Sequence, residues 1–322
     1  MWLVTGAAGF IGSHLVQALL ARGETVRGLD DLSTGRRSNL EAIAQSPGAE
    51  RFAFVEGDIR DWGVCAAAMA GVERVLHQAA LGSVPRSIAD PRPTHEVNVD
   101  GFVNVALAAA EAKVAGFVYA SSSSVYGDSD RLPKREGEEG RPLSPYAASK
   151  AADEVLAQGY ASAFGLRAVG LRYFNVVGPR QDPRGAYAAV VPRWLAQLAA
   201  GEAPVIFGDG ETSRDFCPVA NVVQANLLAA EAPDAAVGRA FNVGLGDRTT
   251  LLQLYTLLRD GMAARGAPCA GLEPRFDAFR PGDVRHSLAD TSALREALGW
   301  APTVSLAQGL DLAMDAFVAS GA

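Results

Sequence analysis

The heptapeptide SPYAASK, residues 144–150, contains two side chains that could carry out acid–base chemistry. Tyr146 and Lys150 are four residues apart, so on a helix they lie on the same face. Ser144 suits the cap of such a helix, and Pro145 suits its first position. Tyrosine is a poor base at neutral pH, but a neighbouring ammonium and a helix N-terminus both stabilise the phenolate. The motif therefore predicts a general acid/base pair, although an exposed helix could carry the same spacing.

A glycine-rich segment near the start, VTGAAGFIGSHLV, predicts a dinucleotide-binding turn. Gly6, Gly9 and Gly12 stand between a short apolar strand and a helical pattern. Such glycines let the backbone approach a pyrophosphate, whose charge rests on the helix N-terminus. Asp30 follows the second predicted strand, with Asp31 beside it. A carboxylate there accepts hydrogen bonds from ribose hydroxyls and repels a 2′-phosphate, so we expect NAD rather than NADP.

Four serines follow another apolar run in the segment SSSSVYG, residues 121–127. They come at the carboxyl end of a predicted parallel strand, where open α/β sheets bind ligands. A serine there can hydrogen-bond a substrate hydroxyl and align its proton with Tyr146. Short polar residues also simply complete strands, and we expect no more than that of Ser121.

Strand-like and helical patterns alternate through the first half of the chain, which predicts an α/β fold with a Rossmann-like, doubly wound parallel sheet. The predicted strands are residues 1–5, 25–29, 51–56, 73–77, 116–120 and 167–174. The predicted helices are residues 11–21, 94–113 and 146–164. The polar residues 128–141 are predicted to form a surface loop without chemistry.

The regular alternation of strand and helix patterns ends at about Val176, where Gly-Pro and Asp-Pro turns appear. Shorter elements follow, namely a helix over 190–200, a strand over 205–207 and a helix over 306–318. We therefore predict an NAD-binding Rossmann domain over residues 1–175. Residues 176–322 are expected to form mainly a smaller α/β substrate domain, with some segments returning to the first domain.

Composition narrows the class of protein. The 322 residues are 49% apolar and 20% charged, with a net charge of −7, which argues against a nucleic-acid partner. Three widely spaced cysteines predict a reducing compartment without disulfides. The four histidines show no metal-ligand spacing, so no metal is expected. Without a secretory or membrane-spanning pattern, we expect a cytoplasmic protein with no membrane partner.

Further segments occur in order along nearly the whole chain: LDDLSTG, GDIRD, HQAALGSVPRS, LRYFNVVGPRQDP, GDGETSRDF and RPGDVRHSLAD. Together with the motifs above, they resemble the extended short-chain dehydrogenases/reductases. Within that superfamily the chain is most similar to nucleotide-sugar 4-epimerases, above all the bacterial UDP-N-acetylglucosamine 4-epimerases of polysaccharide synthesis. The resemblance implies reversible C4 epimerisation of UDP-N-acetylglucosamine to UDP-N-acetylgalactosamine, through a transient 4-keto sugar and NADH.

The resemblance also implies residue roles and an assembly. Tyr146 takes the proton of the sugar 4-hydroxyl, Lys150 binds the nicotinamide ribose and stabilises the phenolate, and Ser122 is the catalytic serine. Family members commonly form homodimers through a four-helix bundle, which residues 94–113 and 146–164 would build.

The implied binding residues fall into two sets. The NAD contacts are Gly6, Gly9, Phe10, Ile11, Gly12, Asp30, Asp31, Ser33, Thr34, Gly35, Asp58, Ile59, Gln78, Ala79, Ala80, Asn98, Tyr146, Lys150 and Tyr173. The substrate contacts are Gly82, Ser83, Ser122, Ser123, Ser124, Tyr146, Asn175, Ala189, Val190, Arg214, Arg280, Asp283 and Ser287.

Three small residues favour the N-acetylated sugar. Similar epimerases restricted to UDP-glucose carry Lys where this chain has Gly82, and tend to carry Tyr where it has Ser287. Ala189 would be a third small wall. Room for a 2-acetamido group does not exclude the smaller hexose. We therefore expect residual activity on UDP-glucose and UDP-galactose.

Three alternatives remain at this point. UDP-uronic acid 4-epimerases share SSSSVYG but tend to have Thr in place of Asn175, with an arginine for the carboxylate that Arg180 or Arg184 could supply. Similar dehydratases carry Thr-Asp-Glu where this chain has Ser122 and two further serines. A non-catalytic NAD-binding protein would usually lack the Tyr or the Lys, and both are present.

Overall fold

A computed structural model of the chain describes residues 1–183, 188–279 and 284–321. The strands are β1 (Trp2–Thr5), β2 (Val26–Asp30), β3 (Phe52–Glu56), β4 (Arg74–His77), β5 (Gly116–Ser122), β6 (Ala168–Tyr173), β7 (Asn175–Val177), β8 (Val205–Phe207), β9 (Ser213–Arg214), β10 (Phe216–Pro218), β11 (Ala240–Val243), β12 (Thr249–Thr250) and β13 (Arg275–Asp277).

The helices are α1 (Phe10–Ala21), α2 (Arg37–Ala44), α3 (Trp62–Ala68), α4 (Val84–Ala89), α5 (Pro91–His95), α6 (Gly101–Glu111), α7 (Pro145–Phe164), α8 (Val190–Ala199), α9 (Val219–Ala229), α10 (Leu251–Ala264), α11 (Ser292–Leu298) and α12 (Leu306–Ala319). A π-helical turn, Glu96–Asp100, joins α5 to α6, and a 3₁₀ turn, Ser123–Tyr126, follows β5.

The central sheet has the strand order β11-β6-β5-β4-β1-β2-β3, with every neighbouring pair parallel. The chain order reverses direction between β1 and β4. In open α/β sheets a crevice forms at that reversal, beyond the carboxyl ends of the strands. The predicted doubly wound parallel sheet is thus confirmed. Its strand order predicts a ligand site beyond the carboxyl ends of the central strands.

Helices cover both faces of the sheet. Leu15 of α1 and Val222 of α9 pack with Val4 on one face, whereas Phe102 of α6 and Ala157 of α7 pack on the other. Because both faces are covered, the inner strands are apolar throughout rather than alternating. A separate apolar cluster joins α8, α10 and α12 in the second half of the chain.

Two predicted elements differ from the structure. The strand predicted over 116–120 extends through Ser122, because Ser121 and Ser122 pair with Arg172 and Tyr173 of β6. The single helix predicted over 94–113 begins at Pro91 and is interrupted by the π turn. The proline suits the start of a helix, where its missing N–H costs nothing.

The second half of the chain also contributes to the central sheet, since β11 pairs with β6 at its edge. The proposed division between residues 175 and 176 stays a prediction. Among the described residues, no helix has the length and apolar character needed to cross a membrane. The cytoplasmic location stays a prediction.

A buried carboxylate connects three loops in the second half of the chain. Asp215 has an exposed fraction of 0% and accepts hydrogen bonds from the backbone N–H groups of Leu245 at 2.7 Å, Gly246 at 3.0 Å and Ala289 at 3.1 Å. Burial raises the pKa of Asp215 to about 6, against the opposing effect of these hydrogen bonds. The carboxylate thereby fixes the backbone next to Arg214.

The raised pKa predicts a pH-dependent effect of Asp215→Asn. A carboxyl whose folded-state pKa exceeds its ordinary value of 3.8 contributes stability that is fully present below that value and lost as the pH rises through 6. We expect the free energy of unfolding of the variant, relative to the unchanged protein, to rise by about 2 kcal/mol between pH 4 and pH 6.5. Urea unfolding at several pH values measures this difference, and a constant difference would contradict it.

Candidate active site

A cavity of about 550 Å³ lies at the carboxyl edge of the central sheet. Its walls come from the turn between β1 and α1, the ends of β2, β4, β5 and β6, and the first turns of α7. The strand order places these segments side by side although they are far apart in the sequence.

The glycine turn leaves no room for side chains. Gly6 has φ +67°, and a Cβ there would lie 2.8 Å from the Ala79 nitrogen. A Cβ on Gly12 would lie 2.0 Å from the Gly6 carbonyl oxygen. Helix α1 therefore packs directly against the turn. Its N-cap, Gly9, offers no side chain to the first-turn N–H groups, an arrangement that fits a pyrophosphate.

Asp30 is held in place at the end of β2. Its Oδ2 accepts the Ala8 N–H at 2.9 Å, and its Oδ1 accepts the Leu32 N–H at 2.8 Å. A Cβ on Gly35 would lie 2.5 Å from Oδ1, so Gly35 acts by giving this carboxylate room. Asp30 lines the cavity, and the arrangement fits the adenosine ribose of NAD.

The predicted acid/base pair lies at the N-terminus of α7. Ser144 caps the helix by accepting the Ala147 N–H at 3.1 Å, and Tyr146 and Lys150 both line the cavity. The Lys150 side chain has an exposed fraction of 3%, and its Nζ donates to Asp153 Oδ2 at 3.1 Å. Burial raises the pKa of Asp153 to about 6, although Lys150 opposes this. Asp153 thus fixes the ammonium beside the cavity.

The serines of the run differ in what their side chains contact. Ser122 Oγ accepts the Ser124 N–H at 3.1 Å, which leaves its hydroxyl proton to be donated elsewhere. Ser121, Ser122 and Ser123 all line the cavity. The expectation that Ser121 merely completes the strand was wrong, because its Oγ donates to Glu154 of α7 at 2.5 Å.

The cavity brings together most of the predicted site residues. Those that line it are Gly6, Gly9, Phe10, Ile11, Gly12, Asp30, Asp31, Ser33, Thr34, Asp58, Ile59, Gln78, Ala79, Ala80, Gly82, Ser122, Ser123, Tyr146, Lys150, Tyr173, Asn175 and Ala189. Arg280 and Asp283 lie outside the described residues. Their assigned roles stay predictions.

A second cavity of about 290 Å³ adjoins the first, because Asn175, Val176 and Ala189 line both. Val190 and Arg214 line this second cavity and not the first. The predicted substrate residues therefore fall into two connected compartments.

Four other predicted residues do not line either cavity. Ser83 caps α4 by accepting the Arg86 N–H at 3.2 Å, and the Ser287 N–H donates to the Ser213 carbonyl oxygen at 3.1 Å. Asn98 Oδ1 accepts the Leu81 N–H at 2.8 Å, so it supports the loop that carries Gly82. Ser124 contributes its backbone N–H to Ser122.

Sequence reasoning missed Asn226, which supports the cavity floor. Its amide binds Tyr173 Oη at 2.8 Å and Gln78 at 3.1 Å, and both partners line the cavity. Asn226 is fully buried on α9. The sequence feature that could have indicated it is the position of Asn226 as a polar residue in the largely apolar helix VANVVQANLLA. The cavity lining also includes residues that were not predicted, namely Leu29, Gly57, Leu81, Val97, Ala120, Ser121, Phe174 and Val176.

Comparison with known proteins identifies the class. Residues 2–244 match the NAD dependent epimerase/dehydratase family. The chain is 44% identical to a UDP-glucose 4-epimerase of Mycolicibacterium smegmatis, with 98% of this chain and 97% of that protein covered.

Solved structures of similar fold are also nucleotide-sugar 4-epimerases. A UDP-glucose 4-epimerase from Thermotoga maritima, solved with UDP-glucose, superposes with a TM-score of 0.90 at 37% identity, covering 100% of this chain and 99% of that one. A UDP-N-acetylglucosamine 4-epimerase from Methanobrevibacter ruminantium, solved with UDP-N-acetylmuramic acid, superposes with a TM-score of 0.91 at 36% identity, covering 99% and 98%.

The chain belongs to the NAD dependent epimerase/dehydratase family. Its activity is that of an NAD-dependent nucleotide-sugar 4-epimerase.

The tight glycine contact predicts the effect of Gly12→Ala. The added methyl group must push α1 away from the turn, so we expect bound NAD to fall to less than about a tenth of that in the unchanged protein. NAD released on denaturation measures this. Gly159→Ala is the matched control, because a Cβ on this helical glycine of α7 meets no atom within 4 Å. Full NAD content in Gly12→Ala would contradict the expectation.

Proposed function

We propose that this enzyme interconverts UDP-N-acetylglucosamine and UDP-N-acetylgalactosamine, with residual activity on UDP-glucose and UDP-galactose. The open cavity wall at Gly82 is the observation that carries the choice of sugar. A Cβ added there would meet no heavy atom within 4 Å, and Gly82 lines the larger cavity. A lysine at this position would extend into that space, whereas glycine leaves it to a 2-acetamido group. Ala189, between the two cavities, adds a second small wall.

The smaller cavity suits the nucleotide part of the substrate. Phe207 and Trp194 give it apolar walls, and Arg214 brings a guanidinium to it. A guanidinium matches the charge and geometry of a diphosphate, and aromatic walls suit a base. Because the two cavities share lining residues, one UDP-sugar can reach from the smaller into the larger. The Thermotoga maritima relative, solved with UDP-glucose, supports this class of ligand.

The residues at the cavity supply proton transfer and alignment. NAD held in the larger cavity would supply a reversible hydride acceptor for the sugar C4. Tyr146 takes the proton of the 4-hydroxyl and later gives it back, so the chain ends each turnover in its starting state. Ser122 donates its free hydroxyl proton to the sugar O4 and aligns it. The Lys150 ammonium and the N-terminus of α7 stabilise negative charge on the tyrosine oxygen. Because one turnover consumes no net cofactor, NAD need not leave between turnovers, and we expect it to stay bound.

One described arginine weighs against a uronic acid substrate. Arg180 Nη2 contacts His14 Nδ1 at 2.7 Å and Gln17 Oε1 at 2.7 Å, so this guanidinium binds to α1 rather than lining either cavity. Arg184 lies outside the described residues. Ser123 and Ser124 stand where the similar dehydratases carry carboxylates, which favours epimerisation over elimination.

The proposed partner is a second copy of this chain. Val155 and Phe164 expose apolar side chains on α7, and the Val155 side chain has an exposed fraction of 68%. Facing copies of α6 and α7 would cover these residues in a four-helix bundle.

Proton NMR of UDP-N-acetylglucosamine incubated with the NAD-loaded protein tests the proposed reaction. We expect the anomeric signal of UDP-N-acetylgalactosamine to appear and approach equilibrium, and Tyr146→Phe to slow its appearance by at least about 100-fold. UDP-glucose should react more slowly. Conversion of UDP-glucuronate but not of the N-acetylated sugar would refute the substrate while sparing the mechanism.

A graded change at Gly82 tests the sugar wall. Gly82→Lys fills the open space, so we expect kcat/KM for the N-acetylated sugar to fall at least about tenfold more than kcat/KM for UDP-glucose. Gly82→Ser is the matched control at the same position and should change both values similarly and slightly. If Gly82→Lys lowers both values equally, Gly82 does not select the sugar.

A further inference from the structure

A hydrogen-bonded cluster of polar side chains, all buried or nearly so except the exposed Glu139, lies beside the serine run, next to the larger cavity. We call it the Arg172 cluster, and its members are Ser121, Tyr126, Glu139, Glu154, Arg172 and Asn242. Arg172 of β6 donates to Glu154 through Nε at 2.8 Å and through Nη2 at 2.7 Å. This two-bond pairing holds the Glu154 carboxylate in one orientation.

The cluster connects the serine strand to the catalytic helix. Ser121 Oγ donates to Glu154 Oε1 at 2.5 Å, so the same carboxylate joins β5, β6 and α7. Ser121 pairs with Arg172 in the sheet, whereas Ser122 is the next residue along β5. Any shift of Ser121 is therefore passed directly to Ser122.

Helix geometry places Glu154 in line with the acid/base pair. Tyr146, Lys150 and Glu154 are spaced by four residues, which keeps them along one face of α7. The hydrogen bond from Ser121 thus reaches the helix one turn beyond Lys150. It fixes α7 relative to the strand that carries Ser122.

The same guanidinium also holds the backbone that follows the serines. Arg172 Nη1 donates to Tyr126 Oη at 3.0 Å and forms an ion pair with Glu139. Tyr126 Oη donates to Asn242 Oδ1 of β11 at 2.8 Å. The segment from Ser121 to Tyr126 is therefore held at one end by Glu154 and at the other by Arg172, the two members of the same ion pair.

We propose that Ser121 and Glu154 are positioning residues that set the geometry between Ser122 and Tyr146. Neither is assigned a contact with the reacting atoms, and they act through Ser122 on its strand and through α7. This inference rests on the proposed role of Ser122. It extends that role to Ser121, which was expected only to complete a strand, and to Glu154, which no sequence motif indicated.

The test is a cycle of single and double variants. Ser121→Ala removes one hydrogen bond and leaves the Arg172–Glu154 pairing intact. We expect it to lower kcat for UDP-N-acetylglucosamine about tenfold, with KM and bound NAD changed less than twofold. In the Ser122→Ala background the same substitution should lower kcat less than twofold, because the residue through which it acts is gone.

The controls separate geometry from stability. Asn221→Ala removes buried hydrogen bonds to Thr303 and Val304, and Asn221 lines neither cavity. It should lower the melting temperature at unchanged kcat. Glu154→Gln keeps the shape of the side chain but weakens its hold on Arg172 and Ser121, and should lower kcat like Ser121→Ala.

The outcomes distinguish the two proposals. If Ser122→Ala lowers kcat but Ser121→Ala costs the same factor with and without Ser122, the positioning proposal is overturned and the role of Ser122 stands. A Ser122→Ala variant with unchanged kcat refutes the role of Ser122 and, with it, positioning through that residue. A raised KM with unchanged kcat in Ser121→Ala also overturns the positioning proposal.

Discussion

The buried ion pair between Arg172 and Glu154 is the interaction on which the catalytic side of the sheet depends. Burial alone would lower the pKa of Arg172, but the hydrogen bonds and charge of Glu154 raise it, so the guanidinium stays charged. Removing one partner of a buried pair typically costs about 3–5 kcal/mol, because the other charge is left uncompensated. The pair therefore holds β6 and α7 in one arrangement. Ser121 and Tyr126 use the same two charges to place the segment between them.

The same division of labour recurs around the cavity. Two of the side chains that line it are held by a second residue that does not line it: Asp153 holds Lys150, and Asn226 holds Tyr173. Gly35 contributes by having no side chain, because a Cβ there would collide with the Asp30 carboxylate. Asp30 is also held by the backbone N–H groups of Ala8 and Leu32. The orientation of these polar side chains is therefore set by the helices and loops packed around the carboxyl ends of the strands.

This division explains how much of the site the sequence could predict. Cavity-lining residues lie in short motifs after strands, such as VTGAAGFIG, and a parallel sheet brings strand ends together. Supporting residues come from distant segments whose local sequence does not show what they contact. Residues 128–141 were interpreted as a surface loop without chemistry because they are polar. Yet Glu139 contacts Arg172, and the Lys134 carbonyl oxygen accepts from Asn242. No local pattern reports a contact made across 33 or 108 positions.

The serine run shows where a stronger reading of the sequence was possible. Successive side chains of a strand point to opposite faces. Phe117 and Tyr119 of β5 pack on the face that α7 covers, whereas Val118 packs on the other. The alternation assigns Ser121 to the α7 face, where Glu154 lies, before any side chain is placed. The alternation of side chains does not give the length of the strand, and the predicted strand ended at residue 120. Pairing with β6 carries β5 two residues further and gives Ser121 and Ser122 separate roles.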